Sequence, residues 1–435
     1  MSTVLRAAGS SSARSEARRG PRLASRADYA LTYALSALTA LCGLAAFRLA
    51  HLRLGEAGFA EFALTRRALG FLVPLASLGL GVAVPRAVAR RVARGGAHGT
   101  GDLLRGAVVV VVAAAAALAI VVEIWPRPAA LVCVGSSHRA DLARSLPPLA
   151  AALALATCIA GYCRGQMWIA ASNGLQLACV GVIPNIVLLA VGTVDSFLLW
   201  SAAAVCGAAL ASLAVMPRSG AASGRHSLAA AAMLFRDGAP RTPGDLAYYG
   251  LLAAPAVVVA RGSGLESGGE VAYALALLTL FQQLVAPLGT LLLPEAAALI
   301  HAGQAPRLRR RVARMLAWSL AITAALAAVV AAAAEPLIRF HLGTCSPALV
   351  ADVRWIAAAA APLNLFTCLR SVVDAGTTRA VSPALCLAAL VVFALGVLAG
   401  GAPTATTTMT AFLAAVGVLA TASLVAARHV LARSA

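Results

Sequence analysis

The feature that most restricts this chain is a succession of apolar runs, each about twenty residues long, recurring from residue 29 almost to the C-terminus. A run of that length crosses a hydrocarbon core of about 30 Å as an α-helix. In lipid the backbone N–H and C=O groups find no water, so a crossing segment must bond them internally, as a helix does. A closed β-barrel would instead need short segments alternating apolar and polar, and these runs do not alternate. Composition agrees. Of the 435 residues 61% are hydrophobic and only 12% charged, about half the charge a soluble surface requires.

The runs predict an all-α integral membrane protein with about 12 transmembrane helices, at 29–50, 69–89, 104–125, 146–166, 174–194, 196–216, 245–261, 271–295, 315–334, 353–374, 380–400 and 405–427. The thinnest divisions are Gly192 to Asp195 and Gly400 to Pro403. Residues 1–28 are polar, rich in Arg and Ser, and read as a disordered cytoplasmic tail. The apolar run that follows lacks a small-residue cleavage site, so it is read as retained. The longest interval, 217–244, reads as a basic cytoplasmic linker between an N-terminal bundle (29–216) and a C-terminal bundle (245–435).

Charge sets the orientation. The net charge is +19, and all 35 basic residues are Arg. They lie between apolar runs rather than on one amphipathic face, which argues against a nucleic-acid partner. With the tail inside, roughly 25 of the 35 arginines fall on cytoplasmic segments, as the positive-inside rule requires. They include Arg86, Arg90, Arg91, Arg94 and Arg105, then Arg218, Arg225, Arg236 and Arg241, then Arg307 to Arg314. An even number of spans and two cytoplasmic termini follow. The absence of Lys beside so much Ala, Arg and Gly hints at a GC-rich bacterial genome. Nine Cys without a Cys-x-x-Cys pair, and seven scattered His, give no metal or cofactor site to expect.

The halves also repeat at an offset of about 210 residues. Gly55-Glu56 with Phe62-Ala63-Leu64 corresponds to Gly269-Glu270 with Tyr273-Ala274-Leu275. Gly79 corresponds to Gly289, Pro85 approximates Pro294, and Cys158 corresponds to Cys368. Each half keeps the same parity of spans, so the repeat is parallel and the fold is two pseudo-symmetric six-helix bundles.

Arg53-Leu54-Gly55-Glu56-Ala57-Gly58-Phe59-Ala60-Glu61-Phe62-Ala63-Leu64 resembles the segment after helix one of bacterial polysaccharide flippases, in the multidrug/oligosaccharidyl-lipid/polysaccharide exporter superfamily. Leu78-Gly79-Leu80-Gly81-Val82-Ala83-Val84-Pro85-Arg86 is similar to that family's second helix. Gly161-Tyr162-Cys163-Arg164-Gly165-Gln166 resembles the turn after its fourth, and Glu270 to Leu275 with Leu293-Pro294-Glu295 its eighth. The resemblance covers most of 29–395. The lipid II flippases of the superfamily carry fourteen spans and an Arg-rich first helix, which this chain lacks. The resemblance implies a MATE-like, V-shaped pair of bundles working by alternating access in the bacterial cytoplasmic membrane. It implies an undecaprenyl-diphosphate-linked glycan as cargo for surface polysaccharide assembly. Membrane lipids, and the glycosyltransferases or polymerase of the same pathway, would be its partners.

Such a cargo needs cations in a wet cavity, and Arg holds phosphate through a planar fork that stays charged. Arginines at membrane depth are therefore the candidates: Arg48, Arg66, Arg67, Arg86, Arg261 and Arg370, each with the alternative of snorkelling to headgroups. Polar candidates are Gln282, Gln283 and Asn364; interhelical hydrogen bonding is their alternative role. Glu123 is the candidate for a coupling ion, with a surface role as the alternative. Prolines 74, 184, 255, 287 and 362 are expected to bend helices. Cys133 and Cys345, in equivalent outer loops, could pair to restrain the outer mouth.

Other functions leave other marks. A cation-coupled drug antiporter of the same superfamily would favour acidic cavity residues. A major-facilitator transporter would carry a Gly-x-x-x-Asp-Arg-x-Gly-type loop after helix two, which Arg86 to Gly101 does not resemble. A membrane-embedded polymerase or glycosyltransferase needs a large outer loop or clustered acids, and the 16 acidic residues are dispersed; an enzyme is disfavoured. A non-transporting scaffold of an envelope complex would keep the fold and lose the cavity charges.

Overall fold

The computed structural model describes residues 26–93, 100–216, 224–301, 304–377 and 381–433. Among the described residues the secondary structure is entirely helical. Helix α1 (Arg26–Ser77) holds two crossings fused at Gly55, whose φ of 70° and ψ of −176° are open to glycine alone. Phe47 and Phe62 meet with ring centroids 5.5 Å apart, whereas a straight helix would separate them by about 22 Å. The arms 26–54 and 56–77 therefore fold back on one another. Helix α2 (Leu80–Ala93) extends the second crossing past a break at Leu78 and Gly79, both at positive φ.

The N-terminal half continues with α3 (Thr100–Ile124), short α4 (Pro126–Val134) and α5 (Ala140–Gly165). Its fifth crossing is composite: α6 (Ile169–Gln176), a π-helical turn Leu177–Val182, and α7 (Ile183–Ala190). The wide turn sits immediately before Pro184, whose ring cannot accept the ordinary α-helical geometry behind it. Thr193 caps α8 (Val194–Val215), its hydroxyl accepting from the Ser196 N–H at 3.3 Å, which explains the division at Gly192 to Asp195.

Next come α9 (Gly224–Gly238), α10 (Thr242–Ser263), α11 (Leu265–His301) and α12 (Ala305–Ala332). The chain ends with short α13 (Ala334–Leu342), then α14 (Pro347–Gly376), α15 (Val381–Ala399) and α16 (Ala405–Arg433). Among the described residues ten helical segments are long and apolar enough to cross a membrane. One of these, α1, offers two arms either side of Gly55, and the 37-residue α11 is also long enough to cross, which gives twelve candidate crossings among the described residues. We call the side on which α1 begins the near side, and the side of the Gly55 turn the far side.

Each half is built around its fourth crossing. In the first, α5 packs against α1, α3 and α8; in the second, α14 packs against α11, α12 and α16. Both central helices present small residues to their neighbours, such as Ala150, Ala154 and Gly161 in α5 and Ala357, Ala359 and Ala360 in α14. In lipid such faces hold helices together because they let backbones approach. The equivalence of α5 and α14 is the pseudo-symmetry in structural form.

The halves meet at the far end. A Cβ on Gly269 of α11 would lie 2.5 Å from Ala60 Cα of α1, and one on Gly135 would lie 2.7 Å from Ala260 Cβ. Tyr273 sets its ring 5.6 Å from Phe47 and 6.0 Å from Phe59. Toward the near side the first crossing loosens: Ala46, Phe47 and Ala50 are buried, while Leu31, Leu38 and Leu41 are exposed.

Three expectations change. The second crossing starts at Glu56 rather than 69, because Gly55 reverses the chain with no loop at all. The interval 217–244 contains an ordered helix, α9, packed on α2 and α3. Of the tail 1–28, residues 26–28 open α1, and 1–25 lie outside the described residues.

Candidate functional site

The earlier start of the second crossing moves Arg66 and Arg67 from a helix opening to about three turns inside the membrane-spanning arm. Arg66 Nη1 and Arg67 Nε are buried and have no hydrogen-bond partner among the described residues. The Arg66 guanidinium carbon lies 5.4 Å from the Phe47 ring centroid and 5.7 Å from that of Phe62. Ring faces offset part of the cost of desolvating a cation, by about 0.5–2 kcal/mol, but they supply no counter-charge. Two adjacent, half-buried cations with no acid paired to them among the described residues are costly to hold at membrane depth. Phe47 also contacts Tyr273 across the seam between the halves, so the pair sits beside that seam.

Of the other arginine candidates, Arg48 and Arg370 are engaged by partners within the protein. Arg48 is exposed and donates from Nη1 to the carbonyls of Phe340 (2.6 Å) and His341 (3.3 Å), capping α13 from across the seam. This favourable cation at a helix C-terminus ties the halves together. Beside it, His341 bonds the Leu44 carbonyl through Nε2 (3.1 Å) and Tyr273 Oη through Nδ1 (2.7 Å). Burial and the Arg48 charge push His341 below its ordinary value, against the raising effect of the Leu44 carbonyl. Arg86 is exposed in α2 and Arg261 is exposed in the last turn of α10.

In the second half Arg370 is fully answered. Its Nη2 lies 3.2 Å from Asp245 Oδ1 and its Nε 3.5 Å from Asp374 Oδ2, and Ser382 donates to Asp374 Oδ1 at 2.7 Å. The network ties α10, α14 and α15 together. Gln282 donates to Tyr248 Oη, and Tyr248 packs on Tyr249 and Phe366. Gln283 is exposed, so the adjacent amides point different ways. Asn364 is fully buried and donates to the Phe281 carbonyl (3.1 Å) and Thr323 Oγ1 (2.9 Å), fastening α14 to α11 and α12. That is interhelical bonding.

The carboxylates are equally informative. Glu123 is two-thirds exposed and pairs with Arg144 at 3.2 Å on the far-side surface. Deeper acids went unnoticed in the sequence. Glu61 of α1 pairs with Arg139 at 2.5 Å, and Arg139 also approaches Asp141 and Asp195. Asp352, 4% exposed, has no ion-pair partner among the described residues and feels the like charge of Glu270. Glu270 accepts from Ser346 Oγ at 2.6 Å. Asp245 and Asp352 were hidden by their position near span ends, where an acid ordinarily reads as solvated.

Cys133 and Cys345 do not pair; both are free thiols. Cys133 ends up buried in α4, where desolvation pushes its thiol up to about 12, so it does not present an outer-loop thiol for oxidation. Among the described residues no group of His, Cys, Asp and Glu has the arrangement of a metal site.

No family model matches the sequence, and no curated protein matches it. Solved structures do match the fold. An outward-facing multidrug-resistance MATE family transporter of the MOP superfamily aligns with TM-score 0.66 at 16% identity, covering 96% of this chain and 97% of that one. An inward-facing one aligns with TM-score 0.69 at 15% identity, covering 93% and 98%. A eukaryotic MATE transporter, AtDTX14, aligns with TM-score 0.66 at 14% identity, covering 94% and 97%. The chain is a multi-pass membrane protein with a MATE transporter fold.

Proposed function

We propose that the protein is an alternating-access flippase for an undecaprenyl-diphosphate-linked oligosaccharide, working in the bacterial cytoplasmic membrane with its near side cytoplasmic. The observation that carries this reading is the pair Arg66 and Arg67, half-buried beside the seam, each with a buried guanidinium nitrogen that no described residue answers. A diphosphate would supply the missing charge through bidentate hydrogen bonds. The closed far end, latched by Arg48 and His341, matches the limb of the cycle that loads from the cytoplasm. Glycosyltransferases or a polymerase of the same pathway would supply or consume the cargo.

One observation favours a second reading. Asp352 and Glu270, neighbouring acids at the far end of the second half, are what a cation-coupled drug antiporter would use. Reconstitution separates the two. With a fluorescent lipid-linked oligosaccharide in vesicles, the flippase reading expects protein-dependent movement between leaflets. Absence of that movement, together with proton- or Na⁺-driven uptake of an organic cation, would replace it with the antiporter. Neither activity would point to a scaffold.

A further inference from the structure

Helix α9 has three faces rather than two. At about 100° per residue, Ser227, Ala231, Leu234 and Gly238 form one stripe, and all are buried against α2 and α3. The fit is close: a Cβ on Gly106 of α3 would lie 2.7 Å from the Ala231 nitrogen. About a quarter turn away, Leu228, Ala232 and Phe235 form a second stripe that no element among the described residues covers; Leu228 is 63% exposed and Phe235 50%. The remaining sector carries His226, Arg236 and Asp237, all exposed, with Met233 between them at 42% exposure. A helix bathed in water would not present the second stripe, and one crossing the bilayer would not carry the third. A helix lying flat at the rim of a bundle needs all three: one face for protein, one for acyl chains, one for water.

The surroundings select the kind of surface. Arg86, Arg90, Arg91 and Arg241 are exposed at the same near-side end and, with Arg236, outnumber Asp237. A basic collar of this kind repels a second copy of itself and attracts lipid phosphates. We propose that α9 is an interfacial anchor, with Leu228 and Phe235 sunk to the acyl boundary of the near leaflet and the arginine collar on anionic headgroups. Its hold reaches the second crossing. Gly238 abuts the break in that crossing so closely that a Cβ on Gly79 would lie 2.3 Å from the Gly238 oxygen, and one on Gly238 would lie 2.5 Å from the Leu78 oxygen. Leu78 itself is held at φ 46°, a conformation that non-glycine residues rarely adopt. A leaflet that grips α9 therefore fixes the hinge between 56–77 and α2.

The test uses the full-length protein in lipid nanodiscs, with photoreactive benzoylphenylalanine placed singly at Leu228, Phe235 or Asp237 and adducts read by mass spectrometry. Lipid adducts are expected at the first two positions and not at the third. In discs with a minority of phosphatidylglycerol in phosphatidylcholine, adducts of the anionic lipid should exceed its mole fraction about threefold. The combined Arg236→Ala and Arg241→Ala protein should lose that excess. A covalent dimer from Leu228 or Phe235 would assign the face to a second copy and overturn the proposal. So would the absence of lipid adducts at both positions. Lipid adducts without anionic enrichment would overturn the role of the collar.

Discussion

The two halves share a helical plan and treat their membrane-depth arginines in opposite ways. In the second half, Arg370 is bracketed by Asp245 and Asp374, and Ser382 fixes the second acid. In the first, Arg66 and Arg67 stand side by side with aromatic rings around one of them and no acid for either among the described residues. An answered charge holds helices together, and removing one member leaves the others stranded. An unanswered charge only costs folding energy, so its retention points to an anion that arrives from outside. The same residue type is thus structural in one half and, on our reading, a binding group in the other.

The sharpest way to break this comparison is to remove each cation and measure thermal stability in detergent. Arg370→Gln strands Asp245 and Asp374 and should destabilise the protein by about 1–3 kcal/mol. Arg66→Gln with Arg67→Gln should leave the melting temperature unchanged or raised, because no partner is orphaned. If the double variant melts lower than Arg370→Gln, the first-half arginines are structural after all.

A smaller effect is expected at the far-side latch. A histidine held below its ordinary value contributes stability that is present in full above the unfolded value of 6.5 and lost as pH falls below it. The seam should therefore loosen as pH falls below about 6.5, read as faster labelling of a cysteine placed at Leu44. In His341→Ala the labelling should be fast and independent of pH. A pH-dependent rate surviving in that variant would move the titration to another group. Glu123→Gln should do least, within about 0.5 kcal/mol and without effect on coupling, since Glu123 and Arg144 form an exposed pair. Loss of ion-driven transport in that variant would restore Glu123 as a coupling group.

What the sequence revealed follows from the range of the interactions involved. Apolar runs report crossings because burial in lipid is read residue by residue, so most spans were placed within several residues. The second crossing escaped because Arg53 to Arg67 carries five charges, which ordinarily mean a loop. Here Gly55 makes the reversal unaided. Glu61 is answered by Arg139 from α5's entrance, and Arg53 donates to the Leu189 carbonyl. The pairing of Arg370 with Asp245 joins residues 125 positions apart, which no local pattern reveals. Gln282 was visible as an oddity in an apolar run, but its partner Tyr248 was not. The Cys133 and Cys345 pairing failed because loop assignment from hydropathy missed the short helix α4, which buries Cys133.

The central claim is that Arg66 and Arg67 receive the anionic head of the cargo, and equilibrium binding in detergent tests it most directly. The wild-type protein should bind a polyprenyl-diphosphate-linked oligosaccharide. Arg66→Gln with Arg67→Gln should weaken that binding by about 100-fold or more, at about 1.5–3 kcal/mol for each lost charge-assisted contact. Arg48→Gln should bind like the wild type. Unchanged affinity in the double variant, with the protein folded, would contradict the account.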